Sequence, residues 1–230
     1  MDTNIYKKIG KNINGILSFV NQNELEGDNI KYSGFYNKIS SFYYFWQRVF
    51  FIIKFGGEYN FRNDFLKFIT VNDNNIVLET STGTADNFRL MNKKAKYYGA
   101  DISMGMLKQA LKHIKRWKIE AELNCCEAEN LPYNDNVFDV VLSCGGFNYY
   151  NDKQKAVNEM IRVSKPGKRI YIVDETEKTV KEIYKNIHGK ELYDSQKANI
   201  PLQFIPEGMK NIDWKIVCKG YMYILYFDKP

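Results

Sequence analysis

The chain has 230 residues, 44% hydrophobic and 26% charged, with a formal net charge of +6. That length suits one ordinary domain able to fold on its own core, and the composition reads as soluble and globular. The positive charge is dispersed, over Lys93, Lys94 and Lys96, over Lys108, Lys112, Lys115, Arg116 and Lys118, and over Lys165, Lys168 and Arg169. It reads as solvated faces, which argues against a nucleic-acid partner.

The first residues lack an apolar signal core and a cleavage site. Residues 4–20 place Ile5, Ile9, Ile13, Ile16, Leu17 and Val20 at roughly helical spacing, which predicts a helix weakened by Gly10 and Gly15. Residues 21–33 are polar and loop-like. Residues 34–55 are the most aromatic part of the chain and predict a second helix. Its apolar part, Phe42 to Phe55, is interrupted by Gln47, Arg48 and Lys54, too short and too polar to span a bilayer. It reads as a packing helix, a lid over an apolar substrate, or a peripheral membrane contact. Gly56-Gly57 ends it, and residues 58–69 predict a third helix. Residues 1–69 are therefore expected to form an N-terminal helical cap, and residues 70–230 the main domain.

The stretch from Asn75 to Asp101 organises that domain. Ile76-Val77-Leu78 is an apolar run of the kind buried on both faces of a sheet. A loop of small residues follows, Thr80 to Ala85, and Asp86 is placed to cap a short helix through Leu90 and Met91. A second strand, Lys96 to Ala100, ends on Asp101. Strand, tight loop, helix, strand and acid is how α/β domains build a nucleoside site. A dinucleotide loop would place its glycines at Ser81, Gly83 and Asp86, and Glu79 and Asp86 would repel a pyrophosphate. A ligand carrying an ammonium and a sulfonium reverses that argument, because Glu79 then attracts it.

Further on, Ser103 caps a helix through Trp117 bearing Met106, Leu107, Ala110, Leu111 and Ile114 on one face; His113 is expected to be exposed among lysines. Residues 120–126, 138–143 and 169–173 predict strands, with a helix from Asp152 to Val163 that stops before Pro166-Gly167. This alternation means a doubly wound, mostly parallel α/β sheet. Residues 176–198 look helical, 199–211 irregular, and 213–219 with 221–228 read as a closing antiparallel hairpin. Cys125, Cys126, Cys144 and Cys218 form no C-x-x-C pair, and the only histidines are His113 and His188, so no metal site is expected. The cysteines read as free thiols in a reducing, cytoplasmic compartment.

Several motifs occur in order. Glu79-x-Ser81-x-Gly83-x-Ala85 resembles the [E/D]-x-G-x-G-x-G loop of class I S-adenosylmethionine-dependent methyltransferases, with two glycines replaced by small residues. Tyr98-Gly99-Ala100-Asp101-Ile102-Ser103, running on to Met106-Leu107, resembles the family's G-x-D-x-S-x-x-M-L. Glu127-Ala128-Glu129-Asn130-Leu131-Pro132-Tyr133 and then Phe138-Asp139-Val140-Val141 resemble D-A-E-x-L-P-F…F-D-x-V, and Glu159 to Gly167 resembles E-x-x-R-V-L-K-P-G. The subgroup is similar to the ubiquinone/menaquinone-biosynthesis methyltransferases.

The resemblance implies a Rossmann-like seven-stranded sheet and S-adenosyl-L-methionine as cofactor. It implies that Asp101 accepts hydrogen bonds from both ribose hydroxyls and that Ile102 packs on the adenine. Glu127, Ala128 and Glu129 would lie at the adenine edge, with Met106 also in the cofactor site. Glu79, Ser81, Thr82 and Gly83 would meet the methionine portion, and Ser143 and Cys144 would stand at the strand ends where ligands enter. Tyr36, with Tyr43, would reach the cofactor from an N-terminal helix. Relatives carry histidines after the fourth strand. Here Asn148 and Tyr149 are the candidates for orienting an acceptor, and neither is a base at neutral pH. The [D/N]-P-P-[Y/F] motif of amino-group methyltransferases is absent. The expected function is methyl transfer to a small, lipophilic or aromatic acceptor. The rivals are an RNA or protein methyltransferase and a non-catalytic S-adenosylmethionine-binding module.

Overall fold

The computed structural model describes residues 5–20, 51–182 and 199–230. Its centre is a parallel sheet in which β3 (Ile76–Thr80) is flanked by β4 (Lys96–Asp101) and β6 (Val140–Cys144). Beyond β4 lies β5 (Ala121–Cys125), and beyond β6 lies β7 (Arg169–Glu175). Two antiparallel strands, β9 (Met222–Asp228) and then β8 (Lys210–Val217), finish that side. These are the seven expected strands, and the C-terminal hairpin is where it was expected.

The N-terminus departs from expectation. Residues 11–18 are not helical: β1 (Lys11–Ile13) and β2 (Ile16–Ser18) form a hairpin, and β2 pairs in parallel with β5. Among the described residues the sheet therefore has nine strands, in the order β1-β2-β5-β4-β3-β6-β7-β9-β8. The cause is the dipeptide Asn14-Gly15. Both residues have positive φ, 54° and 90°, as a two-residue hairpin turn requires. The Asn12 side chain accepts from the Gly15 N–H at 2.9 Å. Turn chemistry here outweighs the helical spacing of the isoleucines.

Helices cover both faces. On one side, α1 (Glu58–Leu66) and α2 (Met104–Trp117) bury Phe65, Leu107 and Ile114 against Val77, Tyr97 and Ile224. On the other, α3 (Lys153–Val163) buries Val157 and Met160 against Leu78, Val141 and Leu225. The expected caps form: Met106 N–H donates to Ser103 Oγ, and Lys155 N–H to Asp152. Residues 51–55 are helical; Phe51 stacks on Phe61 at 4.3 Å between ring centroids, and Phe55 meets Phe61 edge-on at 4.8 Å. After β7, α4 spans Glu177–Glu182. The rest of the expected helix at 34–50, with Tyr36 and Tyr43, and residues 183–198 lie outside the described residues.

The short helix expected from Asp86 to Met91 is a string of turns instead. Only a few local bonds form, such as Leu90 N–H to Asn87 O, and so few residues do not meet the cost of helix nucleation. The Asp86 carboxylate accepts from the Thr84 hydroxyl and caps no helix. His113 is not exposed: its Nδ1 lies 3.0 Å from Thr84 O and its ring packs on Trp117.

Gly99, in the middle of β4, has no room for a side chain. A Cβ there would sit 2.9 Å from Leu123 Cδ2 and from Thr82 Cγ2. Gly99→Ala is expected to destabilise the fold by about 1–3 kcal/mol. A calorimetric midpoint lowered by several degrees would bear this out; an unchanged midpoint would not.

Candidate active site

A cleft of about 320 Å³ opens at the carboxyl ends of β3, β4 and β5. This is where open α/β sheets bind ligands, beside the point where the strand order reverses between β3 and β6. It is lined by Thr80, Ser81, Ala100, Asp101, Ile102, Cys126, Glu127, Ala128, Glu129 and Tyr150. Six of these, Ser81, Asp101, Ile102, Glu127, Ala128 and Glu129, were expected from the sequence.

The floor is the loop after β3. Ser81, Gly83 and Ala85 have φ of 58°, 52° and 62°. All three positions of the glycine pattern therefore keep the left-handed backbone, two of them with a Cβ attached. Asp101 ties this loop to the neighbouring strand. Its Oδ2 accepts from Gly83 N–H and its Oδ1 from Ser103 N–H, each at 2.8 Å. An ionised carboxylate offers about four acceptor sites, and with the Ile102 N–H also bearing on it, part of its capacity is left towards the cleft. Burial raises the Asp101 pKa, opposed by these N–H groups.

The wall at Ala128–Glu129 is fixed from α3. Glu159 accepts from Leu131 N–H at 2.9 Å, and Arg162 donates to Leu131 O at 3.2 Å and Tyr133 O at 2.7 Å. This explains physically why the A-E-x-L-P and E-x-x-R segments occur together: the second clamps the backbone of the first. Glu129 itself accepts from Asn151 N–H and Asp152 N–H.

Sequence reasoning missed Tyr150. Its hydroxyl donates to Thr80 Oγ1 at 2.9 Å and lies 2.7 Å from Ser81 Oγ and 3.0 Å from Ser143 Oγ. The signal was Gly145-Gly146: a Cβ on Gly146 would fall 2.2 Å from Ser81 Oγ, so that glycine makes room for the serine.

Other expected residues support the site without lining it. Thr82 turns into the sheet against Gly99, and the Met106 methyl packs 3.4 Å from where a Gly83 Cβ would be. Ser143 is buried beneath Tyr150, and Cys144 is half-buried on the same strand end. Asn148 points away: its amide donates to Asp174 and to Glu175 O, and Tyr149 OH donates to Glu175. These two residues hold the turn after β6 onto β7. Among the described residues no cluster of His, Cys, Asp or Glu fits a metal ion, and no helix is long and apolar enough to cross a membrane.

Glu79 lies under the loop, accepting from Asn87 at 2.5 Å and Thr82 at 3.4 Å. Arg62 of α1, also unforeseen, completes this layer. It donates to Asn87 Oδ1 at 2.7 Å and Glu58 at 2.8 Å and lies 3.7 Å from Asp86.

Residues 78–172 match the family model described as a methyltransferase domain. Those residues form a class I S-adenosylmethionine-dependent methyltransferase domain. The match spans the loop after β3, Asp101, the Glu127–Glu129 wall and the turn after β6. The domain is 32% identical over 126 residues to a demethylmenaquinone methyltransferase of Thermotoga maritima, covering 54% of this chain and 53% of that one. It is 31% identical over 137 residues to a ubiquinone/menaquinone biosynthesis C-methyltransferase of Pasteurella multocida, covering 51% of each. The chain thus spans about half the length of these relatives. A crystal structure of a SAM-dependent methyltransferase from Aquifex aeolicus shares the fold, with a TM-score of 0.58 at 21% identity, covering 76% of this chain and 95% of that one.

Burial pushes the Glu79 carboxyl up from 4.5 to about 8. The folded methyltransferase domain therefore holds a proton that the unfolded chain releases near 4.5, and stability is lost as pH rises from 4.5 towards 8. Glu79→Gln, which cannot ionise, is expected to flatten that part of the stability–pH curve. Parallel slopes for the two proteins in denaturant titrations would contradict it.

Proposed function

We propose that this protein transfers the methyl group of S-adenosyl-L-methionine to a small, lipophilic or aromatic acceptor. The observation that carries the reading is the Asp101 carboxylate, held by two backbone N–H groups at the mouth of the cleft with acceptor capacity left over. A ribose with two adjacent hydroxyls matches that capacity. Ile102 offers an apolar face to the adenine, and Glu127 and Ala128 lie at its edge. The backbone around Ser81 and Gly83 faces the methionine portion, and Ser143 and Cys144 stand at the β6 end beside it.

The cofactor supplies an electrophilic methyl group on a sulfonium. The protein's part is to hold the acceptor in line and keep water out. The titratable groups of the cleft are Asp101, Cys126, Glu127, Glu129 and Tyr150. Burial keeps the thiol of Cys126 and the phenol of Tyr150 protonated at neutral pH. Asp101 and Glu129 are taken up by backbone N–H groups, and a cleft of this make-up suits an acceptor that is already nucleophilic, such as an electron-rich ring carbon. The names of the relatives point the same way, towards carbon methylation of a quinone precursor. The exposed pair Ile52 and Ile53 beside the aromatic segment supports an apolar acceptor, or contact with a membrane surface through residues 34–55.

Two measurements test the proposal. S-adenosylmethionine or its demethylated product at about 100 times its Kd is expected to add roughly 2.7 kcal/mol, a midpoint rise of about 5–11 °C, with no rise for NAD. Asp101→Ala is expected to weaken that binding roughly 10- to 100-fold or more, since each charge-assisted hydrogen bond is worth about 1.5–3 kcal/mol. Incubation with the cofactor and a reduced demethylquinone should then give a product heavier by one CH2. Binding without transfer to any acceptor would leave the non-catalytic binding module as the reading.

A further inference from the structure

We propose that this protein self-associates through β8, two copies joining edge to edge about a two-fold axis at Trp214. Among the described residues β8 is the outermost strand of its side of the sheet, and all but the last of its residues are exposed. Ile212, Trp214 and Ile216 alternate along it and are 45%, 43% and 50% exposed. They share a face with Leu225 and Tyr223 of β9, the register partners of Trp214 and Ile216, which lie in the core layer under α3. The apolar stripe thus carries that layer out to an open edge.

Exposed edges are ordinarily blunted by charge and bulges. A bulge is present: the register shifts between Lys210 and Asp213, and Asn211 has φ of 51°. It limits regular pairing to the segment Ile212-Asp213-Trp214-Lys215-Ile216. The charges of that segment do the opposite of blunting. An antiparallel pair of identical strands centred on Trp214 sets Ile212 opposite Ile216 of the second copy, and Trp214 opposite Trp214. It also sets Asp213 opposite Lys215 and Lys215 opposite Asp213. Opposite charges that meet across strands attract, and apolar pairs reinforce them. The segment is self-complementary, which singles out a second copy of the chain as the occupant.

The backbone agrees. Trp214 N–H donates to the carboxylate of Asp213 at 2.8 Å, so it faces off the edge. In an antiparallel strand the C=O of a residue points to the same side as its N–H. Trp214 therefore presents both groups outward, as a hydrogen-bonded pair on the axis requires. Asp213 and Lys215 then fall in the non-hydrogen-bonded pair, where side chains come closest. In the single chain Asp213 is bridged to Lys215 at 3.3 Å and accepts from Tyr226 OH at 2.6 Å. Association exchanges the Asp213–Lys215 bridge for equivalent ones across the axis, and the short segment keeps the contact at the small, concentration-dependent end of specific interfaces.

The test is sedimentation velocity of the full chain across a range of concentrations, with Asp213→Lys, Lys215→Asp and an equimolar mixture of the two. Wild type is expected to shift towards twice the monomer mass as concentration rises, and less so at high salt. Each single variant brings like charges together and is expected to stay monomeric. The mixture restores both pairs and is expected to dimerise, which no loss of folding can imitate. A wild type that stays monomeric throughout, single variants that dimerise as it does, or a mixture that stays monomeric would each overturn the proposal.

Discussion

The fold's functional end depends on one carboxylate. Asp101 closes β4, yet its two oxygens are bonded to Gly83 in the loop after β3 and to Ser103 at the head of α2. Three elements that meet only at the sheet's carboxyl edge are thereby held in one geometry. The anchor matters because the loop's own backbone is unfavourable at two positions, Ser81 and Ala85. An L-residue in the left-handed region costs about 1–2 kcal/mol. At Ala85 part of that cost is offset by burying a methyl group, about 0.8 kcal/mol. Ala85 is fully buried, so a glycine pattern can lose this glycine without losing the loop.

Ser81 is accommodated differently. Its hydroxyl faces Tyr150 OH, and the space for its side chain exists because Gly146 has none. Three residues on two loops thus act as one unit at the junction of β3 and β6. Below them Glu79, Asn87, Asp86, Arg62 and Glu58 form a buried polar layer in which each charge has a partner of opposite sign or a hydrogen-bond donor. A layer of this kind contributes little net stability but is costly to break at one member, which fixes how α1 sits beneath the loop.

Much of this was legible in the sequence. The parallel strands announce themselves as apolar runs, the helices α2 and α3 by their spacing and caps, and the cleft by a small-residue loop followed by Asp101. What escaped had weak local signals. The hairpin at Asn14-Gly15 was hidden by isoleucines spaced as in a helix, although the dipeptide itself is the strongest short hairpin signal. Arg62 and Tyr150 come from segments with no motif, and only the tertiary fold brings them beneath and beside the loop. Asn148 looked like an acceptor-site residue because of its place after β6, but its partners Asp174 and Glu175 belong to the neighbouring strand.

The parallel pairing of β2 with β5 bears on the order of folding. The hairpin β1–β2 is local and can form as soon as its turn is made. Its berth is Asn124 and Cys125, against which Leu17 and Ser18 register. The hairpin must therefore wait for β5, about a hundred residues further along the chain, before it can dock, a long-range closure that is slow by nature. Until then the β5 edge is open to other chains, and the hairpin that docks there is the element that shields it.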